Sequence, residues 1–288
     1  MIEYVKLSNS KMNYFKVLND KRTEFNVLNA DFFKDYRCSN LIQQYFIRKR
    51  VLILKEKNKY TGYIWTDFNM SGEFQINSVY SLIPEEKYYN MLLKTLTRYS
   101  SIKYYCENND FNSYILTNSG FKKTDGDIEM EYVFSQYLSE EKDNSIEYVP
   151  FKKGRDEKLR CFIQNEAFKN SSRIPLTVED IYFDEMQKYY MSDAAVFIKA
   201  ENTFIGYGQV IIERNVPLIV NVGILKTYRG NGYGKMLLLH LLHIMQCMSY
   251  KKVKIRVSYN NVVAMNLYSN IGFNIVSEKF IWEKTYSA

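Results

Sequence analysis

Ile224-Leu225-Lys226-Thr227-Tyr228-Arg229-Gly230-Asn231-Gly232-Tyr233-Gly234-Lys235 is the stretch on which the reading of the whole chain turns. It follows the apolar run Val216–Leu225 and leads into a helical pattern over Lys235–Met248. Its three alternating glycines expose successive backbone N–H groups where the start of a helix adds partial positive charge. A pyrophosphate would meet donors there with no side-chain bulk in the way. The stretch therefore reads as a phosphate cradle. It is not a Walker A loop, because Met236 stands where a hydroxyl residue must follow the Gly-Lys pair. Nor is it a dinucleotide fingerprint, since Gly230, Gly232 and Gly234 are spaced by two throughout and no GxGxxG can be drawn.

Outward from the cradle, periodicity outlines an α/β (α+β) unit with a mixed sheet. Ile146–Phe151 reads as a strand, and Asp156–Phe168 and Val178–Tyr190 read as amphipathic helices. Ala195–Ala200 and Phe204–Glu213 form a hairpin turning at Glu201-Asn202, and Val216–Leu225 is a buried strand. After the helix over Lys235–Met248 come a strand Val253–Val257, a helix Val262–Asn270 and a final strand pair up to Lys284.

The same pattern occurs twice. Ile2-Glu3-Tyr4-Val5 recurs as Ile146-Glu147-Tyr148-Val149, and Leu52–Lys55, Asn58 and Gly62-Tyr63 recur as Val196–Lys199, Asn202 and Gly206-Tyr207, all offset by 144. Asn109 and Asn118-Ser119-Gly120-Phe121 recur as Asn261 and Asn270-Ile271-Gly272-Phe273 at an offset of 152, so the second half gained residues around the cradle. A chain of 288 residues suits two domains. The expected division is 1–143 and 144–288, through the charged linker Ser139–Ser145. In the first half Val79–Leu93 occupies the strand, turn and helix position, but Ile83-Pro84-Glu85-Glu86-Lys87 holds no glycine.

Arg229-x-x-Gly232-x-Gly234 resembles the acetyl-CoA loop of the GCN5-related N-acetyltransferase (GNAT) superfamily, Gln/Arg-x-x-Gly-x-Gly/Ala. Downstream, Asn261-Val262-Val263-Ala264-Met265-Asn266-Leu267-Tyr268-Ser269-Asn270-Ile271-Gly272-Phe273 is similar to that family's second motif, Asn-x-x-Ala-x-x-Leu-Tyr-x-x-x-Gly-Phe. The resemblance covers residues 146–288, and residues 1–143 only through the repeat. It implies two tandem acyl-CoA N-acyltransferase-like domains, each a mixed, mostly antiparallel sheet flanked by helices. The first is degenerate and lacks the cofactor loop.

By the same resemblance, acetyl-CoA is the cosubstrate and its acetyl group passes directly to a primary amine of a small molecule, peptide or protein. Backbone groups of Val222, Gly223 and Ile224 would orient the acetyl carbonyl, with Leu225 and Lys226 continuing along the pantetheine. Arg229, Gly230, Asn231, Gly232, Tyr233, Gly234 and Lys235 would hold the pyrophosphate, and Asn261 would contact the pantetheine side. Tyr268 is the expected acid for the leaving sulfur; the first half has Leu116 in its place. Many relatives carry a base on the strand before the loop, yet Pro217–Val222 holds no carboxylate. Glu213 and a water held by Asn221 are the candidates, with a carboxylate from the other domain or from the C-terminus at Ala288 also open.

Composition narrows the remaining classes. With 46% hydrophobic and 25% charged residues, 12 Gly and 4 Pro, the chain is globular. No apolar run spans a bilayer and Met1–Lys16 lacks a signal-peptide core, so a soluble, cytoplasmic protein with no membrane partner is expected. Cys38, Cys106, Cys161 and Cys247 form no CxxC pair and read as reduced thiols. His240 and His243 lie three apart on one helix but have no third ligand in view, so no metal is expected. Lys and Arg number 20 against 19 Asp and Glu in residues 1–144, and 19 against 13 in residues 145–288, which puts the anion site in the second half. A basic stripe for nucleic acid is missing. Two other functions stay open: a non-catalytic acyl-CoA-binding regulator, and an aminoacyl-tRNA-dependent transferase. The chain is expected to be a monomer or homodimer.

Overall fold

Paired left-handed residues mark the turns of the sheet. Lys57 and Asn58 (φ 44° and 64°), Glu201 and Asn202 (46° and 64°), and Arg214 and Asn215 (49° and 64°) each place positive φ at both centres of a two-residue turn. That geometry matches the twist of the strands it joins, and Asn tolerates it better than most residues. The first two pairs are related by the 144-residue repeat.

The computed structural model describes residues 2–69, 72–97, 99–138, 145–170 and 173–286. In chain order the first half forms β1 (Ile2–Lys6), α1 (Met12–Asp20), α2 (Phe32–Cys38), α3 (Leu41–Lys49), β2 (Val51–Glu56), β3 (Lys59–Phe68), β4 (Phe74–Ser81), α4 (Glu86–Lys94), β5 (Ser101–Glu107), α5 (Asp110–Asn118) and β6 (Lys122–Val133). The second half forms β7 (Ile146–Pro150), α6 (Glu157–Ala167), α7 (Val178–Glu185), β8 (Tyr190–Ala200), β9 (Thr203–Glu213), β10 (Val216–Ile224), α8 (Tyr233–Cys247), β11 (Lys252–Ser258), α9 (Val262–Ile271) and β12 (Asn274–Thr285).

Two compact units result. Unit 1 is Met1–Asp127 with Ser277–Ala288, and unit 2 is Ile128–Val276. The division thus falls inside β6 and near the start of β12. The expected boundary at 143/144, with linker residues 139–144, lies outside the described residues. In unit 1 the strands run β1-β2-β3-β4-β5-β12, and β12 pairs antiparallel with β5 from Lys279↔Glu107 to Thr285↔Ser101. In unit 2 the order is β7-β8-β9-β10-β11, with the second half of β6 beside β11. There Glu129 pairs with Lys254 at 2.5 Å and Arg256 at 3.0 Å, and Glu131 pairs with Lys252 at 2.9 Å. In each unit the described strand pairings are mostly antiparallel, with a parallel one at β4 to β5 and at β10 to β11.

Two expectations change. The helix expected over 178–190 ends at Glu185, because Tyr190 already pairs with Ile211 as the start of β8. The final strand pair is a single twelve-residue strand, β12. Its register with β5 is long, and a continuous strand satisfies more backbone groups than a hairpin of half-length arms would.

Helix α8 buries Leu237, Leu238, Leu241, Leu242 and Met245 on one face. At about 1.5–3 kcal/mol for each large side chain taken out of water, this face fixes the helix and the turn before it against β8, β9 and β10. No helix among the described residues is long and apolar enough to cross a membrane. All four cysteines are free.

Candidate active site

The site of unit 2 begins with an irregularity in β10. Val220 pairs with Gln209 and Gly223 with Tyr207, so Asn221 and Val222 together stand opposite Gly208. Asn221 is left-handed, at φ 58°. A bulge of this kind releases backbone groups from the ladder and bends the strand. On its other side β10 pairs with β11 through Leu218↔Lys254 and Ile219↔Ile255, before the bulge. Gly223 follows it, and a Cβ there would lie 2.9 Å from both the Ala167 Cβ and the Phe168 ring, so the end of α6 rests directly on this backbone.

Beyond Ile224 the chain makes one 3-10 turn, Lys226–Tyr228, and enters α8 through Gly230 (φ 84°) and Gly232 (φ 81°). Both glycines are needed for their backbone conformation, and a Cβ on either would meet open space. Gly234 differs: its φ is ordinary, and a Cβ would sit 3.7 Å from Leu267 on α9. The first-turn N–H groups of α8 have no acceptor within the helix and face this open space with the positive end of the helix dipole. Lys226 and Lys235 are exposed beside them.

Arg229 points elsewhere. Its Nε donates to the Ile224 carbonyl at 2.9 Å and its Nη2 to the carbonyl of Ala167. It ties the last residue of α6 to the end of β10, instead of reaching out over the glycines as expected. The Leu225 N–H is also engaged, on Ile205 O at 2.8 Å.

On the other side of the bulge lies a cavity of about 430 Å³. Its polar wall is Arg160, Gln164, Arg173, Asp180, Asp184, Tyr189 and Asn221, and its apolar wall includes Ile174, Leu176 and Phe183. Arg160, only 2% exposed, is paired with Asp184. Asp184 also accepts from Tyr189 OH at 3.0 Å and from Gln209 Nε2 at 3.3 Å. Gln209 Oε1 in turn receives Tyr207 OH at 3.2 Å and, at the limit of contact, Asn221 Nδ2 at 3.5 Å. A hydrogen-bonded chain thus leads from the bulge to a partly exposed carboxylate.

Tyr268 on α9 is 8% exposed. Burial alone pushes its phenol up to about 12, so it holds its proton throughout the neutral range and can donate. Asn261 caps α9, its side chain accepting from Ala264 N at 3.2 Å. Glu213 is not brought to the site. It sits opposite Val216 at the far end of β10, about 17 Å from Asn221 at the rise of a strand. Its carboxylate is engaged by Arg256, at 3.0 Å through Nη1 and again through Nη2, and that hydrogen bond lowers its pKa. His240 stacks on Tyr148 with centroids 3.8 Å apart, and His243 contacts Leu138 O at 3.3 Å. Among the described residues no group of three or more metal-ligating side chains comes together. The C-terminal carboxylate at Ala288 lies outside the described residues.

The Arg160, Gln164, Gln209 and Asp184 cluster was missed by sequence reasoning, although α6 carried a signal. Its buried face is Glu157, Arg160, Cys161, Ile163, Gln164 and Ala167, so two charged residues and an amide stand where an amphipathic helix normally has apolar ones.

Residues 160–273 match the model of the Acetyltransferase (GNAT) family. A GCN5-related N-acetyltransferase from Sphaerobacter thermophilus is similar along nearly the whole chain: 14% identity, 99% of this chain and 95% of that one, TM-score 0.58. An acetyltransferase of the GNAT family from Colwellia psychrerythraea matches at 13% identity over 98% and 99% of the two chains, with a TM-score of 0.50. At these identities the likeness concerns the fold. No curated protein matches the chain.

Proposed function

We propose that unit 2, whose residues 160–273 match the Acetyltransferase (GNAT) family, transfers the acetyl group of acetyl-CoA directly to a primary amine. The observation that carries this reading is the continuous path from the Asn221-Val222 bulge through Gly230 and Gly232 into the start of α8. It offers freed strand amides for a thioester carbonyl and helix N–H groups for a pyrophosphate. The cofactor would be held by the backbone from Val222 to Lys226 and from Gly230 to Lys235, with Arg229 bracing the turn from behind.

The acceptor would enter the cavity beside Asn221. Its amine nitrogen bonds to the acyl carbon, the carbon–sulfur bond breaks, and the electron pair leaves with sulfur. Tyr268 supports the departing thiolate by donating its proton. Asp184, the cavity carboxylate that Gln209 links to Asn221, would take the amine proton, directly or through a water held by Asn221, and is the candidate base in place of Glu213.

Calorimetric titration with acetyl-CoA tests the reading, with Gly232→Trp expected to abolish binding. A wild-type protein that does not bind acetyl-CoA would overturn it. The lack of a carboxylate on Pro217–Val222 favours one second reading, a non-catalytic acyl-CoA-binding protein. Asp184→Asn and Tyr268→Phe separate the two: an enzyme loses turnover with a panel of amines, whereas a binder shows no turnover to lose.

A further inference from the structure

Unit 1 keeps the parallel strand pair that in unit 2 flanks the proposed cofactor cleft, with β4 and β5 meeting at Gln75↔Lys103 and Ile76↔Tyr104. In the strand register Gln75 and Ile76 stand where Leu218 and Ile219 do, and Tyr80, paired with Tyr63, stands where Gly223, paired with Tyr207, does, so Val79 lies at the level of the Asn221-Val222 bulge. The segment between α1 and α2 reaches these positions. Asn29 Nδ2 donates to Val79 O at 2.9 Å and to Arg22 O at 2.9 Å, while its Oδ1 accepts from Tyr104 OH at 2.7 Å and Val79 N at 3.4 Å. Asn26 does the same on the β5 side. Its Nδ2 donates to Tyr104 OH at 2.9 Å and Tyr105 O at 3.0 Å, and its Oδ1 accepts from Leu28 N at 3.0 Å and Glu107 N at 3.1 Å. Ala30 N adds a bond to Asn77 O at 2.9 Å.

A carboxamide has two donor and two acceptor positions, and here both side chains use all four. Asn26 is 1% and Asn29 4% exposed, so neither leaves a position for water or ligand. The segment is also tied at its base, where Arg22 Nε donates to Asn29 O at 3.2 Å and Asn19 Nδ2 to Asp31 Oδ1 at 2.8 Å. In unit 2, among the described residues, no side chain bonds the backbone of Val222, at the level of Val79, or of Gly223 beside it. The pantetheine arm of coenzyme A presents amide groups of the same chemistry as an asparagine side chain.

We infer that residues 25–31 permanently fill the cofactor cleft of unit 1 with the chain's own amides. Unit 1 is thereby a scaffold with no site of its own, and each chain takes up a single acyl-CoA. The filled cleft stands on unit 1's geometry alone, and only the cofactor count rests on the reading of unit 2. Expelling the segment would break seven of these eight side-chain hydrogen bonds, all but that of Leu28 N within it, which makes it a fixed plug and not a lid.

The test is hydrogen exchange and calorimetry on the full chain. Wild-type protein is expected to bind one equivalent of acetyl-CoA and Gly232→Trp none, with the amides of Val79 and Glu107 equally protected with and without ligand. Asn29→Ala should raise exchange at Val79 about ten-fold, and Asn26→Ala should do so at Glu107, the scale of one lost buried hydrogen bond. If one variant does not fold, the other decides. Two equivalents bound, or one retained by Gly232→Trp, would overturn the inference. So would unchanged protection in the asparagine variants. If wild type binds no acetyl-CoA, the reading of unit 2 fails and the exchange measurements alone decide whether the cleft is filled.

Discussion

At the scale of single residues, the glycines of the cradle separate by physical cause. Gly232 is left-handed at 81°, so Gly232→Ala should cost about 1 kcal/mol of stability, and it also places a methyl group where the phosphate is proposed to sit. Gly234→Ala meets only an ordinary contact at 3.7 Å. Titration should show acetyl-CoA affinity falling about ten-fold or more for the first and less than about three-fold for the second. Tyr268 makes a prediction with a sign. Its pKa is raised to about 12, so the donating form persists up to that pH and no titration of this group limits turnover across the neutral range. Tyr268→Phe should lower kcat about a hundred-fold with KM for acetyl-CoA nearly unchanged, the mark of a contact made only as the thiolate leaves. Glu213→Gln should leave kcat within about two-fold, because it stands at the far end of β10, about 17 Å from Asn221. The lowered pKa of Glu213 stabilises the fold above its unfolded value and loses that contribution as pH falls through the folded one. Both side chains are 43% exposed, so solvent screening keeps the effect under about 1 kcal/mol in acid melts.

At the scale of elements, the site depends on how α6 meets β10. Arg229 joins the Ala167 and Ile224 carbonyls, and Ala167 and Phe168 press on Gly223. Helix C-terminal carbonyls lack partners of their own, so this guanidinium both satisfies one and fixes the exit of β10. Arg229→Met should therefore lower stability by about 1–2 kcal/mol in urea unfolding, with a smaller loss of acetyl-CoA affinity than Gly232→Trp shows. Motif and periodicity made the strand, turn and helix around the cradle legible, but the direction of the Arg229 side chain was not. A charged residue beside a glycine turn suits a phosphate or a carbonyl equally well, and only the neighbouring helix end chooses. Arg160 is the converse case. A charge on the buried face of α6 was visible in the sequence, while its partner Asp184 lies 24 positions away on α7.

At the scale of the whole molecule, the two halves of the sequence are not the two compact units. Ser277–Ala288 belongs with residues 1–127, and unit 2 begins within β6. A fragment cut at the repeat boundary, 144–288, would carry β12 without β5 and lack Glu129 and Glu131, the partners of Lys252, Lys254 and Arg256. An unpaired strand edge of that kind favours association. Size exclusion should find 144–288 aggregated and 128–276 monomeric with a cooperative melt. The sequence by itself determined the duplication, most elements of the second half, the glycine turn and the two motifs of that half. All of these depend on spacing along the chain, through turn preference and periodic burial. Only the tertiary structure decided which unit receives the last strand, which carboxylate stands by the bulge, where Arg229 points and that Asn26 and Asn29 fill the cleft of unit 1. Those outcomes rest on pairings across tens to more than a hundred residues, where a polar side chain finds its partner by burial and shape that local pattern does not encode.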